Sequence, residues 1–395
     1  MPLEQALEHL LEAAARAPIS ACEVVALEHA DGRVLAADLL AGCDLPPWPN
    51  SAMDGYALRL EGWNGEPLAV SQRIFAGTAP APLRAGTCAR IFTGAPMPEG
   101  ADCVEMQENT EVLEDGQVRF TAPLKPGQNV RPQGQETRAG DTVLVAGTRL
   151  GPVELGLAAS LGHAELSVRR KPRVAVLSTG DELAEPGQPL APGQIYNSNR
   201  RVLISWLQRL GCEVLDAGIL PDDLALTRAR LQGCQAADLI LSTGGVSVGE
   251  ADYLGQALRE GGELGLWKLA IKPGKPLTFG HYAGVPVLGL PGNPASTLVT
   301  FALLARPYLL RRLGCAEVQP LRFKVRAGFA WPVAGNRREF LRARLEGERA
   351  VIYPNQSSGV LRSAAWAQGL VEVPEGTTLA EGDGVYFIPL SEVLG

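Results

Sequence analysis

The chain has 395 residues, a formal net charge of −7, 45 glycines and 30 prolines. That length exceeds one ordinary core and favours about two to four domains, and an acidic balance argues against a general nucleic-acid binder, which carries a basic face. The cysteines, Cys22, Cys43, Cys88, Cys103, Cys212, Cys234 and Cys315, are scattered with no C-x-x-C pair, which excludes an ordinary zinc framework and favours free thiols in a reducing cytoplasm.

In chain order, the N-terminal string MPLEQALEHLLEAAARAP spaces Leu3, Leu7, Leu10, Leu11 and Ala14 as the apolar stripe of an amphipathic helix, not as a signal peptide. Pro46 to Arg138 is rich in Gly, Pro and short β-like runs and reads as a small β domain. Within it, PPWPNSAMDGYA isolates the acid Asp54, IFTGAPMPEGADCVEMQEN carries Thr93 with Glu105 and Glu108, and GQNVRPQGQE carries Asn129 and Arg131. Carboxylates on a solvated β surface are the expectation for Glu105 and Glu108.

From Arg173 the texture changes to short apolar runs alternating with helical periodicity. Strands are predicted over Arg173–Leu177, Cys212–Leu220, Leu239–Leu241, Leu266–Ile271 and Val285–Leu290, with a helix over Asn199–Leu210, another capped by Asp222 and running to about Gly233, and a closing helix from Pro294. Such alternation implies a mostly parallel sheet covered on both faces. Ligands of such sheets bind at the carboxyl ends of the strands, and there the polar motifs fall. Ser178-Thr179-Gly180-Asp181-Glu182, Ser242 to Asp252, Lys272 to Pro276 and Pro291-Gly292-Asn293-Pro294 each follow a predicted strand.

Leu239 to Tyr253, LILSTGGVSVGEADY, is the most telling of these. Gly244, Gly245 and Gly249 let backbone N–H groups approach an anion, Ser242, Thr243 and Ser247 add hydroxyls, and Glu250 and Asp252 add the hard oxygens that Mg2+ prefers. The G-x-S-x-G inside it matches a hydrolase elbow, but Ser247 lies beyond the strand end and His281, beside an apolar run, reads as structural. Lys268, Lys272 and Lys275 bring cationic charge to the same edge, which suits a phosphate or oxyanion held with a metal. Neither a Walker A string nor a G-x-G-x-x-G occurs. Pro276 to Ala305 lacks charged residues but is broken by Pro286, Pro291 and Pro294, so it reads as strand, loop and helix and not as a membrane span. Leu321 to Pro389 again alternates as a β domain.

Taken in series, PPWPNSAMDGYA, IFTGAPMPEGAD, STGDEL, GQIYNSNR, STGGVSVGEADY, WKLAIKPGKP and GLPGNP resemble the molybdopterin molybdenumtransferase family, the bacterial MoeA proteins and the C-terminal domain of gephyrin. The resemblance implies a multidomain α/β plus β fold. An elongated domain I is formed by 1–45 and 139–168, a β-rich domain II is inserted at 46–138, a three-layer α/β domain III spans 169–314, and a C-terminal β-barrel, domain IV, spans 315–395. It implies a cytoplasmic homodimer whose active site lies between domain III of one subunit and domains I and II of the other. The implied substrates are adenylylated molybdopterin and molybdate, converted with Mg2+ into molybdenum cofactor and AMP. Transient contact with the molybdopterin adenylyltransferase and with molybdoenzymes belongs to the same expectation, with no nucleic acid and no membrane.

By resemblance, Asp54, Thr93, Glu182 and Asp252 line the catalytic cleft, with Glu182 and Asp252 near the metal or nucleotide phosphates. Ser178, Thr179, Gly180, Asp222, Ser242, Gly244, Gly245, Ser247, Gly249, Pro291 and Pro294 serve substrate binding. Lys268, Lys272, Lys275, Arg342 and Ser358 supply the charge and hydroxyl for a doubly charged oxyanion. Gly134-Gln135-Glu136 departs from the family's G-E-D, so Glu136 stands where an Asp is usual. Two other readings remain at this stage, a molybdopterin adenylyltransferase and a non-catalytic scaffold of the same fold. Molybdate and tungstate are too alike for the sequence to separate.

Overall fold

A computed structural model describes residues 1–245 and 253–394 of the chain. The apolar stripe predicted at the N-terminus forms helix α1 (Leu3–Arg16), which buries Ala6, Leu10 and Ala14. The chain then makes an antiparallel ribbon, Cys22–Ala26 with Glu165–Arg169, and leaves this region near Leu45, which bridges to Thr137 on the return path. Between these points lies an open mixed sheet of six strands within residues 55–120. Its core is small and includes Tyr56, Leu58, Cys88, Cys103 and Val118.

The central unit contains β1 (Arg173–Thr179), α2 (Ser198–Arg209), β2 (Glu213–Leu220), α3 (Leu224–Gln232), β3 (Leu239–Thr243), α4 (Tyr253–Gly261), β4 (Gly262–Lys268), β5 (Pro276–Tyr282), β6 (Val285–Leu290) and α5 (Pro294–Thr300). The strand order is β2-β1-β3-β6-β5-β4. Strands β2, β1, β3 and β6 pair in parallel, while β5 runs antiparallel to both β6 and β4. Alternation along β1 explains the three layers. Val174 and Val176 face α2 and the helical segment after Pro294, and Ala175 and Leu177 face α3 and α4. Each fully buried Leu or Val there contributes about 1.5–3 kcal/mol relative to exposure.

One strand expectation is corrected, and one further strand is present. The run predicted as one strand over Leu266–Ile271 ends at Lys268, and Ile271–Lys272 instead pairs with Arg338–Glu339 of the C-terminal unit. Strand β5 was not anticipated, because Pro276 to Tyr282 reads PLTFGHY, with both faces partly apolar and a glycine inside, so no period stands out.

The C-terminal unit is a closed barrel of β7 (Phe323–Ala327), β8 (Arg338–Glu346), β9 (Arg349–Ile352), β10 (Gly369–Val373) and β11 (Gly384–Pro389). The strands follow one another around the ring as β8-β9-β7-β11-β10, and β10 returns to β8. Leu341 and Ala343 fill its interior, whereas Phe340, on the other face of the same strand, packs with Leu10 of α1 and the central unit. Among the described residues no helix is long and apolar enough to cross a membrane.

Candidate functional site

The register of the central sheet lines up its strand ends. Thr179 pairs with Leu220, Ser178 with Thr243, and Thr243 with Leu290, so the loops beginning at Gly180, Pro221, Gly244 and Pro291 leave side by side. Because β4 runs with these strands and β5 against them, the turn from Lys268 to Pro276, which face each other in register, opens on the same edge. Convergence of the sequence motifs on one edge therefore follows from strand direction and pairing.

Close approach explains the glycines. Gly244 has φ +81, and a Cβ there would stand 2.8 Å from the Thr179 carbonyl oxygen. Gly245 has φ +63, and its Cβ would stand 2.9 Å from Thr179 Oγ1. Any side chain would push these two loops apart. Pro291 and Pro294 bracket the next loop. Thr297 Oγ1 donates to the Pro291 carbonyl at 2.7 Å, Asn199 Nδ2 donates to the Gly292 carbonyl at 2.6 Å, and Pro294 opens α5, where a missing N–H costs nothing. Ser178 and Ser242 are fully buried beneath this edge. The Ser178 hydroxyl meets Thr243 Oγ1 at 3.0 Å, whereas Ser242 Oγ has no hydrogen-bond partner among the described residues.

Carboxylates gather beside these loops. Glu182 folds back over Gly180, whose Cβ would fall 2.3 Å from a Glu182 carboxylate oxygen. The backbone N–H of Asp222 donates to Asp181 Oδ1 at 3.0 Å. Partial burial, then the charges of Asp181 and Glu182, push the Asp222 carboxyl above the ordinary carboxylate range. The helix cap assigned to Asp222 belongs to its neighbour, since Asp223 accepts from Leu226 N at 2.7 Å and precedes α3. Asp222 is thereby left to the acidic edge. Asp252, Ser247, Gly249 and Glu250 lie outside the described residues.

The cations divide. Lys268, Lys272 and Lys275 are exposed, and Lys272 Nζ reaches Glu339 at 3.1 Å. Arg342 is 0% exposed; it donates to Ser363 Oγ at 3.1 Å and to the Ser357 carbonyl at 3.0 Å. Burial lowers its pKa to about 10, and its Nη1 has no hydrogen-bond partner among the described residues. A cavity of about 340 Å³ is lined by Lys272, Glu339, Arg342, Gln356 and Ser357. The neighbouring Ser358 uses its carbonyl to accept from Ala295 N at 2.9 Å, which ties the barrel to the start of α5. Glu339 and Gln356 were missed by sequence reasoning. No local pattern marks the former, whose strand pairs with Ile271–Lys272. A larger cavity, about 660 Å³, lies under α1 against Phe340 and Arg338; none of the candidate residues line it, so volume does not identify the site.

Asp54 and Thr93 meet in the inserted β region. Asp54 Oδ1 accepts from both Thr93 N and Thr93 Oγ1, each at 2.7 Å. These bonds, with a smaller contribution from the charge of Arg90, hold the Asp54 carboxyl below its ordinary range. Nearby Glu105 overturns the expectation of a solvated carboxylate. It is 0% exposed and accepts from Met106 N, Asn109 Nδ2 and Gln128 Nε2 at 2.8–3.0 Å, which satisfies a buried charge with neutral donors. Asn129 takes φ 53 and donates to the Val104 carbonyl. Glu136 is exposed, with its backbone N–H on the Leu45 carbonyl. His281 packs on Phe279, a structural role.

Comparison with known proteins covers the length of the chain. Residues 1–162 match a family described as the MoeA N-terminal region (domain I and II), 175–311 a probable molybdopterin binding domain, and 324–390 the MoeA C-terminal region (domain IV). The chain is 43% identical to a molybdopterin molybdenumtransferase of Haemophilus influenzae over 80% of this chain and 78% of the relative. It is 40% identical to molybdopterin molybdenumtransferase 2 of Mycobacterium tuberculosis over 89% and 90%. A crystal structure of a molybdopterin biosynthesis moeA protein from Pyrococcus horikoshii superposes with TM-score 0.84 at 28% identity, covering 98% of this chain and 99% of that one.

Proposed function

Because the chain belongs to the molybdopterin molybdenumtransferase family, we propose that it inserts molybdate into adenylylated molybdopterin in a Mg2+-dependent reaction that releases AMP. The observation that carries the reading is the single edge of the central sheet on which glycine-bounded loops, an acidic cluster and exposed lysines open together. A phosphoanhydride needs close backbone N–H groups and cations to bind, and an incoming oxyanion needs positive charge beside it.

The residues divide the work. Gly244 and Gly245 allow the loop backbone near Thr179 to form a shallow floor for the phosphates. Lys268, Lys272 and Lys275 favour the doubly charged oxyanion. The Lys272–Glu339 pair orients one ammonium at the mouth of the cavity that Arg342 and Ser357 also line, with Ser358 beside it in the chain. Asp54, whose carboxylate accepts both Thr93 bonds and is held by them below its ordinary range, presents a fixed acceptor to hydrogen-bond donors of the substrate.

Mg2+ fits the donor chemistry of the edge. Glu182 and its neighbours Asp181 and Asp222 are hard oxygen donors, and burial, then the charges of Asp181 and Glu182, raise the Asp222 carboxyl. Mg2+ takes one or two carboxylates and completes its shell with phosphates and water. By the family resemblance, Glu182 and Asp252 would hold it. When bound it would neutralise phosphate charge during anhydride cleavage.

Completion of the cleft by a second subunit is part of the proposal. It follows from the family resemblance, with Asp54 and Thr93 in the inserted region and the lysines in the central unit. A reducing cytoplasmic setting is supported by the free cysteines, of which Cys88, Cys103 and Cys212 are pushed up to about 12 by burial. Contacts with the adenylyltransferase that supplies the substrate and with molybdoenzymes that take the product complete the reading.

Incubating the protein with adenylylated molybdopterin, molybdate and Mg2+ tests it. AMP release together with reconstitution of a cofactor-free molybdoenzyme is expected. Formation of adenylylated product from molybdopterin and ATP by this chain alone, with no cofactor made, would overturn it.

A further inference from the structure

Two aromatic rings beside Asp54 and Thr93 have no part in the reading so far. Strands Leu68–Ile74 and Thr87–Ile91 run parallel with Ile74 opposite Ile91, so the residues that follow each strand, Phe75 and Phe92, emerge side by side. Phe92 N donates to the Ile74 carbonyl at 3.2 Å, which locks that adjacency. The rings stack face to face, with centroids 4.6 Å apart and planes within 9°. Behind Phe92, the Arg90 guanidinium sits 4.7 Å from its ring centroid and 5.1 Å from that of Tyr56. Arg90 is itself fixed by hydrogen bonds to the Gly55 carbonyl at 2.9 Å and to Gln107. Phe75 is nevertheless 51% exposed.

This is an aromatic plane braced from behind and open in front. Scattered exposed apolar residues are ordinary, and a single exposed Phe would carry nothing. Here the ring is held parallel to a second ring, the second ring is backed by a fixed cation, and the next residue in the chain is Thr93, whose backbone and hydroxyl hold Asp54. A flat, electron-rich face beside a fixed carboxylate suits a nitrogen heterocycle, which can stack on the face while its N–H groups donate to an anion.

We propose that Phe75, braced by Phe92 and Arg90, is a stacking platform for a flat nitrogen heterocycle of the substrate, pterin or adenine, and positions it against Asp54 and Thr93. The inference rests on the proposed function and deepens it. Phe75 is a positioning residue, so its removal weakens binding and leaves the chemical step intact.

The test uses the full chain with Phe75→Ala, Phe75→Leu and Phe75→Trp. With adenylylated molybdopterin as substrate, Ala and Leu should raise KM about tenfold, the loss of one stacked base, while kcat stays within about twofold; Trp should restore KM. Leu keeps an apolar contact with Phe92 without an aromatic face, so it serves if Ala does not fold. Titrating AMP and a pterin monophosphate separately identifies the ring, since only the ligand that stacks loses affinity in Ala and Leu. Unchanged KM in Ala and Leu would overturn the platform, as would a lowered kcat at constant KM. A change in sedimentation of Phe75→Ala relative to the parent would also overturn it, making the ring a subunit contact. If the parent protein releases no AMP, the proposed function fails, while the two titrations still decide whether Phe75 binds a heterocycle.

Discussion

Asp54 and Asp222 are the same residue type in opposite circumstances. Asp54, in the inserted β region, accepts two hydrogen bonds from one threonine and is held below its ordinary pKa. Asp222, on the edge of the central sheet, faces Asp181 and Glu182 and is held above it. The first is a carboxylate whose charge is already satisfied by the protein. The second is partly buried beside two other acids. The difference shows that a carboxylate's acidity is written in its surroundings: hydrogen bonding to the charged form lowers a pKa, while burial and then like charge raise it.

The largest effect should come from deleting the satisfied one. Asp54→Ala should slow cofactor formation by on the order of 100-fold or more, the scale of losing a fixed polar group at a reacting centre. Rates of AMP release, with circular dichroism to verify folding, measure it. An active Asp54→Ala would erase the distinction between the two acids.

Asp222→Asn should act on the cation instead, raising the Mg2+ concentration for half-maximal activity about tenfold, as removal of a supporting carboxylate does. Its effect on stability has the opposite sign. Since the folded-state pKa of Asp222 lies above the unfolded one, the folded form favours the proton. The repulsion is absent below the ordinary carboxylate pKa of about 4 and grows as pH rises through the folded value. The Asn variant should therefore melt higher than the parent at neutral pH in the absence of Mg2+, and the gain should vanish near pH 3. A thermal midpoint that is unchanged at neutral pH would remove the case for an unneutralised cluster. For Asp54 the sign reverses, and whatever its bonds contribute is lost as pH falls through its depressed pKa.

Thr93→Val should be milder than Asp54→Ala. It removes the hydroxyl donor and keeps the backbone N–H, so one of the two bonds to Asp54 survives. A net hydrogen bond of about 1 kcal/mol corresponds to a roughly fivefold fall in rate. The pH profile of activity should also extend less far to the acid side, because Asp54 loses a bond that favours its ionised form. The smallest effect belongs to Asp223→Ala, which should cost about 1 kcal/mol in urea unfolding through the lost cap of α3, with little change in Mg2+ requirement. Equal stability losses for Asp222→Ala and Asp223→Ala would return the cap to a shared role.

How far the sequence could be read depended on the range of the interaction. The strand Arg173–Leu177, the helix near Asn199–Leu210 and the closing helix from Pro294 were legible because their signals are local: an apolar run, a helical stripe ended by Gly211, a proline at a first turn. The cap was misplaced by one residue because adjacent aspartates, Asp222 and Asp223, look alike until backbone angles decide which one reaches Leu226 N. Strand β5 escaped because a glycine and a two-sided apolar pattern hide its period. Glu105 escaped because its donors, Gln128 and Asn109, come from other segments.

By itself the sequence determined most element types and the family, since periodicity, turn residues and motif strings are properties of neighbouring positions. Only the tertiary structure decided that Asp54 meets Thr93 across 39 positions, that Lys272 turns to Glu339, and that Phe75 lies flat on Phe92. Those contacts join residues far apart in the chain. Strand register and packing bring them together, and no local pattern encodes either.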